Sequence, residues 1–209
     1  FTKMKKITTL LVIILFFQVS AFTPKKSGTI FSEHEALETT KGVWEAFVNG
    51  DEAKYRSYFA DSAYVSRNGD NQPIVANENI GMGIGNFVKN YKNLKVMDHK
   101  PAYPDVLEYK EGGIWVQDWL IMTGVHKKTG VVLDLPIHNL YALNDDGKIY
   151  MIVNYFDDDI FEEIDNSGKK IENGKVYINH PHIVTVRKVI NAFSAGDMDE
   201  WESYYSPKA

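Results

Sequence analysis

The chain has 209 residues, of which 44% are apolar, 13% aromatic and 24% charged, and it contains no cysteine. This composition excludes a disordered or low-complexity chain, and the missing thiols exclude disulfides, thiolate nucleophiles and cysteine-ligated metal centres. The 28 acids against 23 bases argue against a nucleic-acid partner.

Residues 1–21 read as a signal peptide. Lys5 and Lys6 follow Met4, an apolar run extends from Ile7 to Phe17, and Val19-Ser20-Ala21 is a small-residue cleavage pattern. The run is shorter than the ~20 residues that cross a bilayer. Cleavage removes Lys3, Lys5 and Lys6, which leaves 20 bases against 28 acids, a net −8. An exported protein, periplasmic or extracellular in a bacterium, is expected, with no membrane span in the mature chain. Residues 22–30 read as a linker.

Next comes a helical segment. Ser32 and Glu35 form a capping-box pattern, and Ala36, Leu37, Val43, Trp44, Phe47 and Val48 recur at helical spacing. Asn49-Gly50 should end this helix and Asp51 should cap a short second one. Ala63–Val65 reads as a brief strand, and Asn77–Tyr91 as a third helix. Four β-rich runs follow, at Val106–Tyr109, Ile114–Val125, Val131–Leu143 and Ile149–Phe156. The turn-forming segments Glu111–Gly113, Lys127–Gly130 and Asn144–Gly147 join them. Helices followed by a meander predict an α+β domain over residues 31–165, with the N-terminal helices packed on one face of a curved antiparallel sheet. Such a cone encloses a pocket for a small apolar or aromatic molecule.

The segment from Val43 to Ala63 recurs from Val189 to Ala209. Eight of the 21 pairs are identical: Val43/Val189, Ala46/Ala192, Phe47/Phe193, Gly50/Gly196, Asp51/Asp197, Ser57/Ser203, Tyr58/Tyr204 and Ala63/Ala209. Unrelated segments would match at about one or two positions, so this is an internal repeat. Residues 166–182 then read as a linker, and 183–209 as the truncated start of a second copy. A homodimer, or pairing within the chain through that second repeat, is the expected assembly.

Ala46–Asp51 with Tyr58–Ala63 resembles the opening of the nuclear transport factor 2-like superfamily. Thr123–His126, Thr129-Gly130, Asp146–Ile149 and Tyr155–Asp157 resemble its SnoaL-like branch. The resemblance implies a cone-shaped α+β barrel, often dimeric, in a group that includes polyketide cyclases, ketosteroid isomerases, dehydratases, epoxide hydrolases and non-enzymatic binding modules. Counting from these segments, the three catalytic positions of the isomerases fall on Val43, Arg67 and Asn139. None of these keeps the isomerase residue type.

A tight turn at Lys127–Gly130 sets Asp118 opposite Asn139. The next turn sets Asn139 beside Ile152, with Asn154 one pair away. Either Asp118, Asn139 and Asn154 face the pocket, or Trp115, Gln117, Trp119 and His138 do, because a one-residue slip exchanges the faces. The isomerase count favours Asn139 facing inward. An acid in an apolar cone gains a raised pKa and can shuttle a proton. The candidate catalytic residues are therefore Asp118, His138 and Asn139, and the candidate ligand-binding residues are Trp44, Tyr58, Trp115, Trp119, Tyr141 and Asn154. The pattern implies no cofactor and no metal. His126 stands beside a hairpin tip, His180 and His182 lie in the linker, and Asp157–Asp159 reads as a solvated acidic run. Three functions are consistent with these residues. The first is a binding module for a small apolar or amphipathic ligand. The second is a cofactor-free cyclase, isomerase or dehydratase. The third is a structural tandem module.

Overall fold

The structure is a computed structural model that describes residues 24–71, 74–169 and 180–207. The signal-peptide segment and most of the expected 166–182 linker lie outside the described residues.

The chain opens with strand β1 (Gly28–Phe31), helix α1 (Ala36–Val48) and helix α2 (Glu52–Arg56). β1 pairs with β5 (Asp105–Tyr109), so the chain is already part of the sheet inside the expected 22–30 linker. α1 does not use the Ser32/Glu35 box. Glu35 is its N-cap without a side-chain bond, and the Ala36 amide donates to His34 Nδ1 at 3.0 Å. At the other end Gly50 takes φ +67°, which a Cβ-free residue adopts cheaply. Asp51 caps α2 as expected, accepting from the Lys54 amide at 2.9 Å.

The next segment departs from the expected helix. β2 (Phe59–Arg67) is a full strand, followed by β3 (Ile74–Ala76), one 3-10 turn at Asn77–Asn79 and the short helix α3 (Ile84–Lys89). Gly81 and Gly83 adopt φ of +76° and +87°, which interrupt a continuous helix here. The end of the expected helix, Tyr91, instead begins strand β4 (Tyr91–Asp98).

β6 (Ile114–His126), β7 (Val132–Leu143) and β8 (Ile149–Phe156) form the centre of the sheet. The strand order is β1-β5-β6-β7-β8-β2-β3, and β4 pairs with the distal half of β6. The sheet is mixed rather than purely antiparallel, because β2 runs parallel to β8. Helix α4 (Asp159–Ser167) begins at the end of the solvated acidic run Asp157–Asp159, where no helix is expected from the sequence. It exists because Ile160, Phe161 and Ile164 fall at helical spacing and pack on the core.

The inward residues of β6 and β7 alternate regularly, and the concave face is closed by α1. One core cluster joins Val43, Phe59, Val106, Val116, Tyr141 and Ile149. A second joins Tyr91, Met122, Leu133, Leu135, Ile137 and Ile164, with Trp44, Phe47 and Phe87 packed against it. Helices α5 (Pro181–Ala195) and α6 (Met198–Ser203) lie beside this body.

Candidate functional site

The register brings four polar side-chain positions abreast across four strands. Asp118 on β6 pairs with Asn139 on β7, Asn139 pairs with Asn154 on β8, and Asn154 pairs with Arg67 on β2. The first pairing matches the hairpin count. The second corrects it, because Asn154 rather than Ile152 stands opposite Asn139. The turn supplies one residue of the two-residue shift, because Leu143 faces Ile149 rather than Lys148, and a bulge between Ala142 and Leu143 supplies the other.

The row is hydrogen-bonded. Asn154 Nδ2 donates to Asn139 Oδ1 at 2.5 Å, and Asn139 Nδ2 donates to Asp118 Oδ1 at 2.6 Å. From above, Trp44 Nε1 on α1 donates to the Tyr141 hydroxyl at 2.8 Å. The Tyr141 hydroxyl in turn hydrogen-bonds Asp118. Asp118 is 3% exposed and Asn139 fully buried. Burial pushes the Asp118 carboxyl up from the ordinary carboxylate range to about 7. Hydrogen bonds from Asn139, Tyr141 and Trp44 act against that rise, and the Asp98 charge adds to it. Tyr141 is raised well above an ordinary tyrosine, first by burial and then by the Asp118 charge.

Asp118 forms part of the wall of a cleft of about 390 Å³ between α1 and the β4–β6 edge, with Leu37, Trp44, Val96, Pro104 and Leu120. Glu38, Lys41, Glu45 and Asp98 also line it. An inner chamber of about 320 Å³ lies on the other side of Trp44. Its walls include Phe47, Tyr55, Phe87, Met122, Ile137 and Phe161, with Asn154 and Arg67 on the β8–β2 side. Trp44 lines both spaces. The Asp118–Asn139–Asn154 chain therefore runs beneath it from the cleft to the inner chamber.

Strand alternation turns Trp115, Trp119 and His138 onto the opposite face, away from both spaces, because odd positions of β6 and even positions of β7 point outward when Asp118 and Asn139 point in. There Trp119 and His138 stack with centroids 4.8 Å apart, Tyr155 continues the stack, and His138 Nδ1 is 2.9 Å from the Asp118 backbone carbonyl. Tyr58 packs against the first core cluster and lines a separate groove with His34, Ile114 and Lys148. Of the candidates named from sequence, Asp118, Trp44 and Asn154 line the two spaces, and buried Asn139 and Tyr141 join them. Arg67 and Leu120 were not singled out as ligand-contacting residues. Leu120 was legible as the inward neighbour of Asp118, two residues along β6.

The other titratable groups have local roles. His126 Nδ1 meets Thr129 Oγ1 at 2.9 Å within the hairpin, and His180 Nδ1 accepts from the His182 amide as a helix cap. Asp157, Asp158 and Asp159 are exposed, and Asp157 Oδ1 accepts from the Asp159 amide at the start of α4.

No family model matches the sequence, and no curated protein is significantly similar to it. Among solved structures, BvnE pinacolase from Penicillium brevicompactum superposes with a TM-score of 0.51 at 10% identity, over 70% of this chain and 95% of that one. PrhC from Penicillium brasilianum superposes with a TM-score of 0.51 at 8% identity, over 83% of this chain and 98% of that one. The protein has the nuclear transport factor 2-like fold. In nuclear transport factor 2-like terms, the Asp118 cleft and the aromatic chamber together form the interior of the cone.

Proposed function

We propose that the protein takes a small apolar or amphipathic carbonyl compound into the cone and that Asp118 moves a proton on it without a cofactor. One observation carries the reading: a buried carboxyl with a pKa of about 7 stands at the wall of an open, largely apolar cleft. A group poised near neutrality can both accept and return a proton, which is the requirement for general acid–base catalysis. As carboxylate, Asp118 abstracts a proton from carbon adjacent to the carbonyl, and as acid it delivers that proton elsewhere on the same skeleton. Asn139 and Tyr141 fix the carboxyl and stabilise its charged form, and Trp44 positions Tyr141. Similarity in fold to a pinacolase supports placing small-molecule chemistry in this interior.

The test is deuterium wash-in at the α-carbon of a panel of bulky cyclic ketones in D₂O, followed by NMR. Exchange above the buffer rate is expected, rising with pH through about 7. Asp118→Asn should lower it by roughly 100-fold or more. A variant as fast as wild type, or no exchange with any member of the panel, overturns the reading.

The inner chamber favours a second reading. Its walls are aromatic and aliphatic, with Arg67 as the charged residue, which suits retention of a ligand without chemistry. In that case apolar probes raise the melting temperature equally in wild type and Asp118→Asn. Export is part of the proposal, supported by the signal-peptide pattern. N-terminal sequencing of the protein recovered outside the cytoplasm should begin at Phe22, and a retained 1–21 segment would refute it.

A further inference from the structure

Helices α5 and α6 repeat α1 and α2 in bonding as well as in sequence. The Asp51 amide donates to Ala46 O at 3.0 Å, and the Asp197 amide to Ala192 O at 3.0 Å. Asp51 Oδ1 caps Lys54 at 2.9 Å, and Asp197 Oδ1 caps Glu200 at 3.0 Å. Ser57 Oγ donates to Lys54 O at 2.6 Å, and Ser203 Oγ to Glu200 O at 2.6 Å. Gly50 and Gly196 take φ of +67° and +70°. These three bonds and the left-handed glycine of one pair recur 146 residues along in the other.

The two pairs differ in what covers them. In α1 the stripe Leu37, Thr40, Trp44 and Phe47 packs onto the concave face of the sheet. The matching stripe of α5 is Ile183, Val186, Ile190 and Phe193. The last three are 56%, 57% and 62% exposed. α5 instead docks through a different face. Asn191 Nδ2 donates to Gly130 O at 3.0 Å, Arg187 pairs with Glu163 at 3.5 Å, Ala192 is buried, and Glu200 of α6 pairs with Lys92 at 2.5 Å. An amphipathic helix held by its polar side, with its apolar stripe outward, has another partner for that stripe.

We propose that α5 and α6 are the opening helices of a second cone in the same polypeptide, and that the Ile183–Phe193 stripe is the seat of that cone's curved sheet. The template is internal: in the first cone the same helix pair covers a sheet built by the residues that follow it. The sheet of the second cone therefore lies C-terminal to α6 and needs on the order of 100 residues, the length from Ala63 to Ser167 in the first. The α5 docking contacts fix one cone against the other, so the polypeptide carries two interiors in a set orientation.

The 209 residues contain no cysteine, and labelling is read by peptide mass spectrometry at the introduced position alone, so a thiol elsewhere in the full polypeptide does not interfere. Ile190→Cys and Phe193→Cys are introduced separately, with Asp199→Cys as an exposed control. Each is made in the 209-residue chain and in the full polypeptide read to its natural stop codon, and far-UV circular dichroism checks that each folds. All three should label fast in the shorter chain. In the full polypeptide the first two should slow by about 100-fold while the control stays fast. Equal labelling in both proteins overturns the proposal, as does a reading frame that closes without a further strand-rich segment. Protection that varies with protein concentration also overturns it, because a second copy of the chain would then be the occupant.

Discussion

The Asp118 carboxyl makes a quantitative claim on stability. In the unfolded chain it ionises near the ordinary aspartate value of 3.8, whereas in the fold it holds its proton until about pH 7. Between those values the folded state binds more protons than the unfolded state, so stability falls as pH rises. The shift is about three units. At about 1.4 kcal/mol per unit it amounts to about 4 kcal/mol, absent below about pH 4 and fully expressed above about pH 7. Asp118→Asn cannot ionise, and its amide oxygen still accepts from Asn139. Urea denaturation of both proteins from about pH 4 to about pH 9 isolates the effect, since every other carboxylate is common to the two. The stability of the variant relative to wild type should rise by about 4 kcal/mol across that range. Parallel stability curves would refute the buried-acid assignment and with it the proton-transfer proposal.

Three further substitutions probe the surroundings. Asn139→Leu removes a donor from Asp118 and an acceptor from Asn154. It should cost about 1–3 kcal/mol and push the carboxyl further above 7, followed by carboxyl carbon NMR; an unmoved titration contradicts the network. Trp44→Phe removes the indole donor to Tyr141 and should cost about 1 kcal/mol by denaturation. Leu133→Ala, at a fully buried position of the second core cluster, should cost about 2–5 kcal/mol, and a loss below that range would mean the cone base is not tightly packed.

The parts legible in the sequence are those fixed by local chemistry. A four-residue turn set the β6–β7 register, which put Asp118 opposite Asn139, and an Asx cap with a left-handed glycine set the α1–α2 corner. The misplaced parts depend on distant contacts or on irregularities. A turn one residue longer than expected and the bulge at Ala142/Leu143 together moved Asn154 into the polar row, and nothing in Leu140–Leu143 announces the bulge. The Gly81–Gly85 stretch kept enough apolar spacing to imitate a helix, yet two left-handed glycines break it. Tyr91–Asp98 carries a register irregularity between Lys92 and Lys95 that masks its strand alternation. The meeting of Trp44, Tyr141 and Asp118 joins residues from one helix and two strands, and no spacing rule links them.

The indole of Trp44 is the partition between the two spaces as well as a donor. A guest too large for either compartment must push the ring aside, and doing so breaks the bond to the Tyr141 hydroxyl. The tyrosine then loses the donor that steadies it, and the acid it supports becomes more avid for its proton. Guest size is thereby coupled to the basicity of the reacting group, so bulky and compact molecules would meet chemically different versions of the same carboxyl.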